Sequence, residues 1–133
     1  MKKGRALPGN RAVLVALAVA VAAAGCHSTS PSPATGLTGV VVRGPIMPVC
    51  RVDVPCDAPF SAGFVVERAK RQVAQFQSDS SGRFTIFLDP GPYVVVPNAE
   101  APLLSPPSQG KSVTVADTGT LTVVRLEFDT GIR

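Results

Sequence analysis

"SDSSGRFTIFLDPGPYVV", Ser78 to Val95, is the stretch that decides the fold. Asp79 can cap a tight turn with its side chain, and Gly82 can take a positive φ just before the next strand. From Arg83 to Leu88 the residues alternate, which puts Phe84, Ile86 and Leu88 on one face of a strand. Pro90-Gly91 then fits the central pair of a type II turn, because proline fixes φ and glycine accepts the positive value. Tyr93 follows directly. It can bury its ring and hydrogen-bond its hydroxyl to nearby backbone, in the manner of a tyrosine corner.

The same grammar extends in both directions. Leu37 to Gly44 carries three valines, and Ser61 to Ala69 with Arg71 to Ser78 reads as a hairpin around Arg68-Ala69-Lys70-Arg71. Tyr93 to Pro97, Lys111 to Ala116 and Leu121 to Asp129 complete the set; in the last, Val124, Leu126 and Phe128 alternate with Arg125 and Glu127. A period of two means one buried and one wet face. No helical periodicity stands out, and proline and glycine punctuate the chain throughout. These features predict an all-β fold, an about seven-stranded sandwich of two sheets with Greek-key connections. With no tryptophan and six phenylalanines in the chain, valine packing is expected to dominate the core.

Asp79, Gly82, Phe84, Leu88, Pro90, Gly91 and Tyr93 together form a D-x-x-G-x-F-x-x-x-L-x-P-G-x-Y pattern. This resembles the carboxypeptidase regulatory-like domains, whose fold is a transthyretin-like (prealbumin-like) β-sandwich. The opening GLTGVVVRGP and the closing KSVTVADTGTLTVVRLEFD resemble that family's first and last strands, so the likeness covers nearly all of residues 36–129. The matching residues are turn and core residues. The resemblance therefore implies a fold and assigns no activity.

The first 25 residues read differently. Lys2, Lys3, Arg5 and Arg11 are basic with no acid among them, and an apolar run follows from Ala12 to Gly25. As a helix that run reaches roughly 21 Å, short of a hydrocarbon core of about 30 Å but suited to a signal peptide. Ala22-Ala23-Ala24 satisfies the ordinary A-x-A cleavage rule, which would release a soluble chain. Ala23 to Cys26, AAGC, instead resembles the lipobox of bacterial lipoproteins, with alanine where leucine is commonest. There the cysteine is acylated and becomes the first residue of the mature protein. Cysteine arithmetic favours lipidation: Cys50 and Cys56 can pair, which leaves Cys26 odd in an oxidising compartment. The expected organisation is a lipoprotein signal peptide at 1–25, an acylated Cys26 with a Ser/Thr/Pro-rich tether at 26–35, and the sandwich at 36–133. The protein is then exported and held to a bacterial membrane by its lipid, facing outside the cytoplasm.

Charge supports no nucleic-acid reading. The formal +4 includes four of the 13 basic residues in the signal segment, so the remainder carries nine basic and nine acidic groups. The isoelectric point near 9.3 and the mean hydropathy of +0.27 are raised by the same segment. Cys50 and Cys56 can close a seven-residue loop pinned by Pro48, Pro55 and Pro59, with no histidine and no further cysteine nearby, which predicts a structural disulfide and no metal site.

Chemistry is sparse. The single histidine, His27, sits in the tether, so no imidazole is expected inside the domain for Ser-His or Cys-His catalysis. Asp129-Thr130-Gly131 spells the D-T-G of aspartic proteases, but the chain holds no second such motif, so a shared-proton pair would need a homodimer to supply it, and a strand end running into a polar tail is expected instead. The first strand offers Arg43 and no lysine for an isopeptide bond. A non-enzyme without a cofactor is expected. Two features remain as binding candidates: Leu103 and Leu104 in the long proline-rich connection from Asn98 to Gly110, and the Arg68, Lys70, Arg71 cluster. The functional expectation is a structural or protein-binding module at the cell envelope, with an envelope protein as partner. A carrier for a small ligand is the alternative, which a pocket would support.

Overall fold

Residues 34–133, with the isolated Gly4, are described by a computed structural model; nearly all of the segment read as signal peptide, and Cys26 and His27 in the tether, lie outside the described residues. The strands are β1 Gly36–Gly44, β2 Ala58–Pro59, β3 Gly63–Arg68, β4 Arg71–Gln77, β5 Arg83–Phe87, β6 Gly91–Pro97, β7 Lys111–Val115 and β8 Leu121–Asp129. All seven expected strands are present, and the two-residue β2 is an addition.

They form two sheets. In one, β1 is central: β8 pairs along one edge, while β5 and then β2 share the other. The second runs β4-β3-β6-β7 and is antiparallel throughout. The fold is an all-β sandwich. Its longest pairing, β1 with β8, is parallel and runs from Gly36 opposite Leu121 to Gly44 opposite Asp129. Parallel neighbours cannot be joined by a hairpin, and these two have the rest of the sandwich between them in sequence.

The local instructions around Ser78 to Val95 are executed with one exception. Asp79 Oδ1 accepts from the backbone N–H of Ser81 at 2.8 Å and of Arg83 at 2.9 Å. Gly82 sits at φ 72°, with the Val41 carbonyl so close that an added Cβ would lie 2.2 Å from its oxygen. Phe84 is buried and Ile86 and Leu88 pack half-buried beside it, as the alternation requires. The Tyr93 ring is buried and its hydroxyl donates to the Asp89 carbonyl at 2.7 Å. The exception is the type II turn at Pro90-Gly91. Gly91 has a positive φ of 139°, but it already belongs to β6. The fourth turn position is Pro92, which has no N–H to close the turn.

The core also corrects an expectation. Valines are present, but five of the six phenylalanines form its centre. Phe84 of the first sheet stacks on Phe76 of the second at 4.4 Å, and Phe76 stacks on Phe64 at 5.1 Å. Phe64 in turn meets Phe128 at 5.4 Å and Phe60 edge-on at 6.0 Å. A low aromatic count understated their weight because all five occupy inward positions. Ser78 is the one buried polar side chain among the described residues. Its hydroxyl donates to the Phe60 carbonyl at 2.6 Å and accepts from the Ala62 N–H at 3.0 Å, pinning the segment that crosses from the first sheet to the second.

Candidate functional site

Strand direction sorts the connections into two ends. The chain enters β1 at Thr35, whose carbonyl accepts from the Leu88 N–H at 3.0 Å and whose hydroxyl donates to the Leu88 carbonyl at 2.7 Å. The β5–β6 connection, the β3–β4 hairpin tip and the β7–β8 turn lie at this entry end, as Gly36 opposite Phe87 and Leu121, and Gly91 opposite Val115, require. The 45–57 loop, the 98–110 connection and the residues after Asp129 lie at the other end.

At the entry end the three basic residues of the hairpin separate into two roles. The Arg68 guanidinium lies over the Tyr93 ring at 5.4 Å and donates to its hydroxyl at 3.4 Å. Such a stack holds arginine in place while leaving its charge. Ala69 and Lys70 form the tip with φ of 51° and 62°, the left-handed pair that matches the twist of a two-residue hairpin. Lys70 and Arg71 are exposed, and none of the three basic residues joins a salt bridge among the described residues. Between this hairpin and the end of β5 runs an open groove of about 540 Å³, lined by Arg68, Val73, Phe87, Asp89 and Tyr93 and bordered by Thr35. Phe87 is 67% exposed. Sequence reasoning missed it as a surface feature, although its outward position follows from the alternation that buries Phe84 and Ile86.

At the far end Cys50 and Cys56 are joined as a disulfide, with Cα atoms 5.5 Å apart. Ile46 N–H donates to the Cys56 carbonyl at 2.8 Å and closes the base of the loop. Val49, Val52 and Val54 are exposed on it, Val52 at 89%. These valines were also missed. The signal was available, since a loop cross-linked over so few residues has no length to tuck Val52 and Val54 inward, and Val49 stands directly before the bridge.

The 98–110 connection is tied to the same end. Gln109 donates through Nε2 to the Leu104 carbonyl and, at 2.9 Å, to the Asp129 carbonyl, while its Oε1 accepts from the Asp129 N–H at 2.7 Å. Leu103 packs half-buried against the core and Leu104 is 54% exposed, so the expected pair divides between core and surface.

The Asp129 carboxylate is engaged within its own turn. It accepts from Arg133 at 2.7 Å and from the Gly131 N–H at 2.8 Å, and these bonds, the guanidinium's foremost, hold its pKa down at about 2. The D-T-G triplet is therefore the end of a strand, with its carboxylate facing a guanidinium. Arg125 pairs with Asp57 and, at 2.7 Å, with Glu127, which raises its pKa further. Among the described residues no group of three or more His, Cys, Asp or Glu side chains is placed to hold a metal ion. No protein-family model matches the chain, and no curated protein matches it.

Proposed function

We propose that this protein is a cell-envelope lipoprotein, anchored through acylated Cys26, whose carboxypeptidase regulatory-like sandwich acts without catalysis as a protein-binding or structural module. The observation that carries this reading is the polarity of the domain. The chain enters from the tether side at Thr35, and the exposed valines of the disulfide loop and the exposed Leu104 sit at the opposite end. An anchored domain of this build presents its apolar, covalently braced surface away from the bilayer, where an envelope partner can reach it. A contiguous exposed apolar patch is a common mark of a surface that a partner covers.

Intact mass of the membrane and soluble fractions tests the anchor: a membrane species beginning at Cys26 and carrying diacylglycerol is expected, and an unmodified soluble chain refutes it. A photocrosslinker in place of Val52 tests the module. It should trap one specific envelope protein, whereas the same probe in place of Val123, on the outer face of β8, should not. Equal trapping at both positions would refute a dedicated far-end surface. The open groove beside Tyr93 supports the small-ligand carrier as a second reading, which a copurified small molecule in the same spectra would favour.

A further inference from the structure

The entry end combines features that the anchor alone does not require. Lys70 and Arg71 project from the hairpin tip without ion-pair partners among the described residues, and Arg68 is fixed beside them on the Tyr93 ring. Next to this basic tip stand half-exposed Val73, on the same hairpin, and, across the groove, exposed Phe87. Asp89 is the one carboxylate lining the groove, and Asp117 lies on the turn after β7, at the opposite edge of the second sheet from β4. The chain arrives at this same corner through Thr35. Only eight residues separate Cys26 from Thr35, so a lipid on Cys26 holds the corner within roughly 28 Å of the bilayer even with the tether fully polyproline-like.

We infer that the entry end is a second, non-covalent membrane contact: Arg68, Lys70 and Arg71 engage anionic headgroups while Phe87 and Val73 dip into the interfacial region, fixing the domain upright on its tether. The chemistry is complementary on both counts. Anionic headgroups supply the missing partners for the basic tip, and an aromatic ring beside cations is the side-chain pairing that interfacial surfaces use. The effect is orientational. The lipid supplies the anchoring, and the basic tip with its apolar neighbours selects which way the far end points. This inference rests on the acylated Cys26 of the proposed function.

The chain contains no tryptophan, so Phe87→Trp introduces a single reporter at the proposed contact, and Val52→Trp introduces one at the far end. Each full-length, exported protein is purified from membranes and reconstituted into vesicles of phosphatidylcholine, with or without phosphatidylglycerol, including a brominated lipid as quencher. Flotation reports anchoring separately from quenching. The expected result is flotation of both proteins, with a blue-shifted, quenched emission for Phe87→Trp on phosphatidylglycerol vesicles and an unquenched one for Val52→Trp. Adding Lys70→Gln and Arg71→Gln should lower the docked-to-free ratio about 30-fold, the equivalent of about 2 kcal/mol at about 1 kcal/mol per basic residue, and raised salt should act the same way. A floating, acylated protein whose Phe87→Trp emission is neither shifted nor quenched overturns the inference and leaves the anchor standing. A protein with unmodified Cys26 that does not float overturns the anchor and this inference with it.

Discussion

Phe64→Ala should be the most damaging single truncation in the domain. The ring is fully buried and touches Phe76, Phe128 and Phe60, so it joins the two sheets and the segment that crosses between them. Withdrawing such a side chain from water contributes about 1.5–3 kcal/mol. Ring contacts of this kind add about 0.5–1.5 kcal/mol beyond area, and incomplete collapse of the vacated space adds a cavity cost. The expected loss is about 4 kcal/mol, a large part of the 5–15 kcal/mol of a typical domain. At about 4–8 °C per kcal/mol for a domain of this size, Tm should fall by roughly 15–30 °C. Urea unfolding followed by far-ultraviolet circular dichroism measures the loss as a shifted midpoint at constant slope. Phe87→Ala is the internal control: the same chemical change at a residue 67% exposed should cost about 0.5 kcal/mol or less. If Phe64→Ala lost under about 1.5 kcal/mol, or if Phe87→Ala cost as much, the aromatic chain would not be the centre of the core.

Ser78→Ala should cost about 1–3 kcal/mol in the same unfolding assay, because the buried Ala62 N–H loses its hydroxyl acceptor and the Phe60 carbonyl its donor; a neutral result would mean water replaces the hydroxyl. Cys50→Ser/Cys56→Ser should lower stability by about 2 kcal/mol, the loop-closure value for a short bridge, and leave the circular dichroism of the strands unchanged. Asp129 should titrate near 2 by carboxyl carbon NMR, and Arg133→Ala should move that midpoint up towards the ordinary 3.8. Because its folded pKa is lowered, the stability this turn contributes is fully present above about pH 4. It is lost as pH falls through about 2, so the residues after β8 should loosen in acid and not in base.

What was legible from the residues was local. Asp79 reaches amides two and four residues ahead, and Tyr93 reaches a carbonyl four residues back. Such contacts depend only on neighbours, so a motif can announce them. The outward Phe87 was equally accessible, since alternation places it opposite Phe84 and Ile86. The parallel pairing of β1 with β8 was not, because period-two alternation states which face is buried and says nothing about which strand lies alongside. Ser78 was hidden for the same reason. It directly follows β4 and reads as turn material, and its partners at Phe60 and Ala62 are distant in sequence. Composition misled about the core because a count of phenylalanines carries no information about how many face inward.

The separation of the two ends follows from a simpler property, the direction of each traverse. β1 runs away from the entry end, and each later crossing reverses the direction, so connections alternate between the ends. The two-residue β2 does not break this alternation, because β2 and β3 run the same way: β2 pairs antiparallel to β1 at Val42 and Arg43, and after Phe60 to Ala62 the chain continues in the second sheet as β3. They are one traverse that changes sheets midway. Ser78 clamps the point of change, with its own N–H donating to the Ala62 carbonyl at 3.1 Å besides the two bonds of its hydroxyl. The disulfide loop and the 98–110 connection consequently share an end, and the basic hairpin shares the other with Thr35. Any sequence change that made β2 and β3 separate, opposed strands would move the hairpin tip to the end that carries the exposed valines. It is the shared direction of β2 and β3, one traverse that changes sheets at Phe60 to Ala62, that keeps the charged tip and the braced apolar loop on opposite ends of the domain.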